Sequence, residues 1–175
     1  LSTMLQQKQY DESLLYVNEL LSSSDMIKPV FSSGNPILDA VLSLKYYTME
    51  HKGIRFEHSV YLPTAFPLSP LDTSTLFTNI LDNAIEACAD VPAGRKCVRL
   101  ALIADQGSLI VNVSNPAAAA PTVVEDGRLR TTKTDADLHG YGTGIVRKIA
   151  EKYDGVADFS YADGVFTAKV MLALV

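Results

Sequence analysis

The sequence has no run of lysine or arginine, and its 175 residues carry a formal charge of −5. A broad basic surface for nucleic acid is therefore excluded, and nucleic acid is not expected among the partners. It has only two cysteines, Cys88 and Cys97, and they lack the CxxC spacing of zinc and redox sites. The expectation is a reduced, cytosolic domain with no disulfide and no zinc. No apolar run approaches the length of a membrane span. The polar opening LSTMLQQKQYDES is not a signal peptide. A starting methionine is also lacking, and the chain opens inside a helical pattern. The expectation is a piece cut from a longer protein, which leaves a membrane anchor in the parent open. What is present, 47% hydrophobic and 20% charged residues, is the mixture of an ordinary globular chain.

Residues 1 to about 28 carry leucines and Val17 at gaps of three and four, which predicts a helix. SSSDMIKPVFSSGNP breaks that pattern, so a linker falls there. NPILDAVLSLKYYTMEHKG restarts a helix, with Ile37, Leu38, Val41, Leu42, Leu44 and Lys45 as its core stripe and Gly53 as its stop. IRFEHSVYLP alternates and reads as a strand. Ser69 before Pro70, or Asp72 before Thr73, caps the next helix. CVRLALIADQGSLIVNVSN predicts a hairpin around Gly107, and VADFSYADGVFTAKVMLAL predicts another through Asp163-Gly164. Residues 115 to 139 between them are poor in large apolar side chains, as a lid would be. The sum is an α+β fold: a two-layer sandwich of a mixed sheet with helices on one face.

Two stretches could carry chemistry. In TNILDNAIEAC the apolar Phe77, Ile80, Leu81, Ala84, Ile85 and Cys88 form one helix face. Asn79, Asn83, Glu86 and Asp90 form another stripe. An amide oxygen is a hard, neutral ligand that holds Mg²⁺ beside phosphates without adding negative charge. Two asparagines on a solvated face also occur without any function. The second stretch is HGYGTGIVRKIAEKYDG, where Gly140, Gly142 and Gly144 precede a helix. Glycines bring N–H groups close to a ligand, and a helix N-terminus attracts phosphate. Glycine turns before helices are common, and this one lacks the strand of a dinucleotide site and the GK[ST] of a Walker loop.

The order of these pieces resembles the GHKL ATP-binding superfamily, and within it the catalytic domain of sensor histidine kinases. NILDNAIEA is similar to that family's N box, and HGYGTGIVRKIAEKYDG to its second glycine box. SGNPILDAVLSLKYYTMEHKGIRFEHSV resembles the quorum-sensor and citrate-sensor type, and KQYDESLLYVNELL the second helix of its dimerisation and phosphotransfer hairpin. The resemblance implies two parts: residues 1–33 as the end of that hairpin with a linker, and residues 34–175 as the ATP-binding domain. It implies ATP and Mg²⁺ as ligands, with Asn83 as the metal ligand and Asn79 one turn earlier on phosphate or metal-bound water. Gly140, Gly142 and Gly144 would frame the triphosphate, with His139, Tyr141 and Thr143 in the same box. Lys133 and Thr134, in RTTKTD, lie where lid residues approach phosphate.

The sequence departs from the family at several of these positions. Asn115 stands for the aspartate that accepts the adenine amino group, and the glycines after it are absent. Thr143 stands where leucine is common, and Glu86 where many kinases have a cation. Hydrolytic relatives use a glutamate at the place of Asn79 as general base, which an amide cannot replace. None of His51, His58 and His139 sits in the helical hairpin that a phosphoacceptor needs, so the accepting histidine is expected upstream of Leu1. The partners implied are that phosphoacceptor segment, a response regulator and, in the full-length protein, a second copy. The alternatives are a stand-alone GHKL serine kinase of the anti-sigma-factor type and a nucleotide-free dimerisation scaffold.

Overall fold

The computed structural model describes residues 30–62, 66–120, 122–123, 129–130 and 141–174. The helix expected over 1 to about 28 therefore lies outside the described residues. Three α-helices are described: α1 (Pro36–His51), α2 (Pro70–Ala87) and α3 (Tyr141–Lys152). The strands are β1 (Arg55–Tyr61), β2 (Cys97–Asp105), β3 (Ser108–Pro116), β4 (Thr122–Val123), β5 (Leu129–Arg130), β6 (Val156–Ala162) and β7 (Val165–Ala173).

Local chemistry starts the first two helices. The Asn35 side chain accepts from the N–H groups of Ile37 and Leu38 at 3.1 and 3.0 Å, with Pro36 following as the first helical residue. Ser69 plays the same part for α2, accepting from the Asp72 N–H at 3.2 Å, again with a proline next. Of the two caps the sequence offered, Ser69 is the one used. The carboxylate of Asp72 instead reaches α3.

Five strands form one sheet in the order β1-β2-β3-β7-β6, and β4 and β5 pair separately. β1 runs parallel to β2, and the other neighbours in the large sheet are antiparallel. The sheet is therefore mixed, as expected. Both hairpins close with two residues in the left-handed region, Gln106-Gly107 and Asp163-Gly164. This is the turn whose twist matches paired strands.

Strand β3 shows why there are two layers. Leu109, Val111, Val113 and Asn115 are buried, while the residues between them are half-buried. The buried set meets the apolar stripe of α2, where Phe77, Ile80, Leu81, Ala84, Ile85 and Cys88 are all buried. Helix α3 adds Val146, Ile149 and Ala150, and α1 adds Leu38, Val41, Leu42 and Met49. Each large side chain sunk in this way contributes about 1.5–3 kcal/mol. In α1, Ile37 and Leu44 are only half-buried, and Met49 takes the core position beyond Lys45. Phe31 also belongs to the core and packs by its ring on Tyr46, Phe56 and His58. Arg55, Glu57, Arg99 and Lys169 are exposed on strands β1, β2 and β7.

One expectation needs correction. Helix α2 ends at Ala87 with Cys88 as its cap, so Asp90 falls beyond the helix and leaves the stripe of Asn79, Asn83 and Glu86. A turn there, closed by Val91 N–H on the Cys88 carbonyl at 3.2 Å, stops the helical register. Within the span 115–139, short pieces of strand are described, and most of the span lies outside the described residues. β3 runs on through Pro116, and Thr122 and Val123 pair with Arg130 and Leu129.

Candidate functional site

Helices α2 and α3 meet at the asparagine stripe. A Cβ placed on Gly142 would lie 3.3 Å from Asn79 Oδ1, 3.4 Å from Asn83 Nδ2 and 3.5 Å from Asn83 Oδ1. The head of α3 thus sits directly on both amides, and a side chain at Gly142 would press on them unless the amides shifted. Asn79 Nδ2 donates to the Thr75 carbonyl at 2.8 Å, one turn back in α2. That bond fixes the amide so that Oδ1 is the atom facing Gly142. Asn79 and Asn83 are half-buried, and Glu86 is exposed one turn further on. On the α1 side, Lys45 Nζ bonds Asp82 Oδ1 at 2.7 Å and ties α1 to the asparagine helix.

The first four N–H groups of any helix lack intrahelical partners. In α3 these begin at Tyr141, so donors and the positive end of the helix dipole stand beside two neutral side-chain amides. Gly144 differs from Gly142: a Cβ there would meet nothing within 4 Å. Thr143, between them, is 8% exposed, and its Oγ1 has no hydrogen-bond partner among the described residues. The structure thus brings together Asn79, Asn83, Gly142, Thr143 and Gly144. Tyr141 opens α3. Lys133, Thr134, His139 and Gly140 lie outside the described residues.

Asn115 is 1% exposed near the end of β3, opposite Phe166 of β7. Its Nδ2 donates to the Pro116 carbonyl at 2.9 Å. The amide is therefore held by its own strand, and its oxygen is the acceptor that remains.

Little in the sequence pointed to what holds the tail of α3. Asp72 Oδ2 accepts from Ser69 Oγ at 2.6 Å, from Tyr153 OH at 2.6 Å and from Lys152 Nζ at 2.7 Å. The Tyr153 hydroxyl in turn accepts from the Ser69 N–H at 2.9 Å. Burial alone would raise the Asp72 carboxyl, but the bonds from Lys152, Ser69 and Tyr153 outweigh it and hold the carboxyl below its ordinary value. The same pair holds the Lys152 ammonium above its ordinary value. Just beyond, a Cβ on Gly155 would overlap the Met171 carbonyl oxygen, so the chain passes flush against β7. With the tail of α3 pinned to the head of α2, antiparallel packing sets Gly142 against Asn79 and Asn83. A cap followed by proline, SPLD, and a Lys-Tyr pair ending a helix are the only traces of this in the sequence.

A magnesium nucleotide fits these residues on three grounds. Two amides offer neutral oxygens, the tight approach at Gly142 keeps the helix head beside them, and a buried hydroxyl has no partner among the described residues. Known proteins agree with the fold. The histidine kinase domain of a blue-light activated kinase from Erythrobacter litoralis superposes with a TM-score of 0.62 at 14% identity, over 95% of this chain and 74% of that one. The catalytic domain of the histidine kinase ThkA gives 0.60 at 19% identity, over 82% and 93%. The Acinetobacter baumannii histidine kinase AdeS gives 0.57 at 12%, over 99% and 83%. No curated protein matches the chain. Residues 68–173, which hold α2, the whole antiparallel part of the sheet and α3, match the family described as GHKL domain; the chain belongs to that family.

Proposed function

We propose that this domain binds Mg·ATP and is the catalytic part of a two-component sensor histidine kinase. In this reading the γ-phosphoryl group passes to a histidine on the phosphoacceptor segment of the parent kinase, and from there to a response regulator. The carrying observation is the seat of Gly142 on Asn79 and Asn83. Family membership and the kinases that share the fold support the reading.

Asn83 would hold the magnesium ion and Asn79 its water or a phosphate oxygen. When bound there, the ion would supply neutralisation of charge on the transferred group, which is most of what phosphoryl transfer asks of its surroundings. The N–H groups at the head of α3 receive phosphate oxygens. Asn115 turns its amide oxygen to the adenine amino group. Asn79 offers no basic atom at neutral pH, so water beside it stays unactivated and transfer to another nucleophile is favoured over hydrolysis. Lys133, Thr134, His139 and Gly140 would complete the phosphate side. The domain reads as cytoplasmic within a parent whose membrane attachment is open, with residues 1–33 as the end of a dimerising hairpin.

Isothermal titration of the Asn83→Ala variant with Mg·ATP tests the reading. Asn83 is on the half-buried face and outside the core, so folding is kept. Affinity is expected to fall at least tenfold. Equal affinities for variant and wild type would remove the metal role.

A further inference from the structure

Two polar side-chain atoms are buried without a partner among the described residues: Asn112 Oδ1 and Thr143 Oγ1. Asn112 lies between Val111 and Val113 of β3 and so points to the sheet face away from the helices. Thr143 lies in the first turn of α3, next to the glycine that touches both asparagines. A buried hydroxyl left without a hydrogen bond opposes folding. Natural interiors rarely leave one, so the exception asks for an explanation, and a bound ligand is one.

The surroundings limit what that partner is. Val146 and Ala150, three and seven residues on, continue the buried stripe of Thr143 and carry no side-chain acceptor. Among the described residues, the groups at this end of α3 are donors and neutral amides: the helix N–H groups, Asn79 and Asn83. Donors converging on one helix head suit an anion with several acceptor oxygens.

We infer that the Thr143 hydroxyl donates a hydrogen bond to the phosphate chain of the bound nucleotide, an addition by its side chain to what the helix backbone supplies. The inference rests on the nucleotide-binding reading above. It predicts an unusual pairing of effects. Thr143→Val keeps the shape and removes the hydroxyl, so the free protein loses an unmet polar group and melts at or above the wild-type temperature. The bound state loses a bond to a charged group, so Mg·ADP affinity falls about tenfold. A purely structural threonine would not raise stability and lower affinity together.

The experiment is thermal melting of the free chain, and calorimetric titration of wild type, Thr143→Val, Thr143→Ala and Thr143→Ser with Mg·ATP, Mg·ADP and adenosine. The expected result is loss of affinity for both magnesium nucleotides in the Val and Ala variants, retention within about threefold in the Ser variant, and no difference with adenosine. Equal Mg·ADP affinity for Thr143→Val and wild type overturns the inference and leaves nucleotide binding intact. An equal loss with adenosine also overturns it, because the contact would then be to the base. Wild type that binds neither magnesium nucleotide overturns the nucleotide reading itself, and this inference with it.

Discussion

Gly142 and Asn79 approach so closely that a single added carbon at Gly142 would stand 3.3 Å from Asn79 Oδ1. The relation joins the two glycine- and asparagine-bearing helices at one point, and it separates stability from binding. In Gly142→Ala the atoms that must yield are the ends of the Asn79 and Asn83 side chains, which can turn aside. A helical alanine gains up to about 1 kcal/mol over glycine, which offsets the crowding. The variant is expected to fold with a melting temperature near wild type, while its Mg·ATP affinity falls at least tenfold. Gly144→Ala meets no protein atom, so it serves as the contrasting variant. Any loss of affinity there comes from a ligand. A Gly142→Ala protein that binds like wild type would show that the asparagine positions are unimportant for the nucleotide.

Much of this arrangement was legible because it is local. The two-residue turns at Gly107 and Gly164 follow from residues that tolerate the left-handed region, and the apolar stripe of α2 follows from helical spacing. Asp90 misled because spacing alone does not show where a helix stops: the turn after Cys88 ends the stripe one step before it. Asp72 was legible only as a possible cap. Its partners Lys152 and Tyr153 come from 80 and 81 residues away in sequence, and no periodicity reports such a distance. The contact of Gly142 with the asparagines was hidden for the same reason, although the residue types on both sides were in view.

The Asp72 cluster predicts an acid-sensitive domain. Its carboxyl is held below the ordinary value, so the folded state binds the proton less tightly than the unfolded chain does. The stability it contributes is fully present above the ordinary carboxyl pKa of about 4 and is lost as pH falls through the depressed folded value. Asp72→Asn is expected to lower stability at pH 7 by about 2 kcal/mol. It should also flatten the loss between pH 4 and lower values, to about the slope left by the other carboxylates. Tyr153→Phe removes a donor to Asp72 and the acceptor of the Ser69 N–H together, and should cost about 1–2 kcal/mol. Denaturant melts of the three proteins across pH 2.5–7, about the range where carboxyls titrate, give the answer. An unchanged acid limb in Asp72→Asn would show that the cluster is not coupled to folding.

Gly155 predicts a larger effect from a smaller change. The atom that a Cβ would overlap there is a backbone carbonyl of β7, which cannot turn aside as the Asn79 side chain can. The Gly155 N–H also closes the end of α3 on the Ala150 carbonyl at 2.9 Å. Gly155→Ala therefore has to push α3 away from the sheet, at about 1–3 kcal/mol by the cost of overpacking. Because the tail of α3 sets the position of its head, Mg·ATP affinity should fall along with the melting temperature. A destabilised protein with unchanged affinity would mean that the head of α3 is placed without help from its tail.

The last prediction concerns phosphoryl transfer. His51 ends α1 and His58 lies in β1, the edge strand of the sheet, while the Gly142 contact lies between α2 and α3. The His58 ring is set edge-on to Phe31, with centroids 4.7 Å apart, rather than turned toward that contact. Neither lies in a helical hairpin that could present it to the γ-phosphate. Incubation of this 175-residue chain with Mg²⁺ and radiolabelled ATP should therefore leave no acid-labile label on the protein. Hydrolysis should also be slow, since Asn79 cannot take a proton from water. Supplying the parent's phosphoacceptor segment, joined to the chain or as a separate peptide, should produce label that acid removes and base leaves. Stoichiometric acid-labile label on the chain alone, mapped to His51 or His58, would place the acceptor inside the catalytic domain and overturn the transfer scheme.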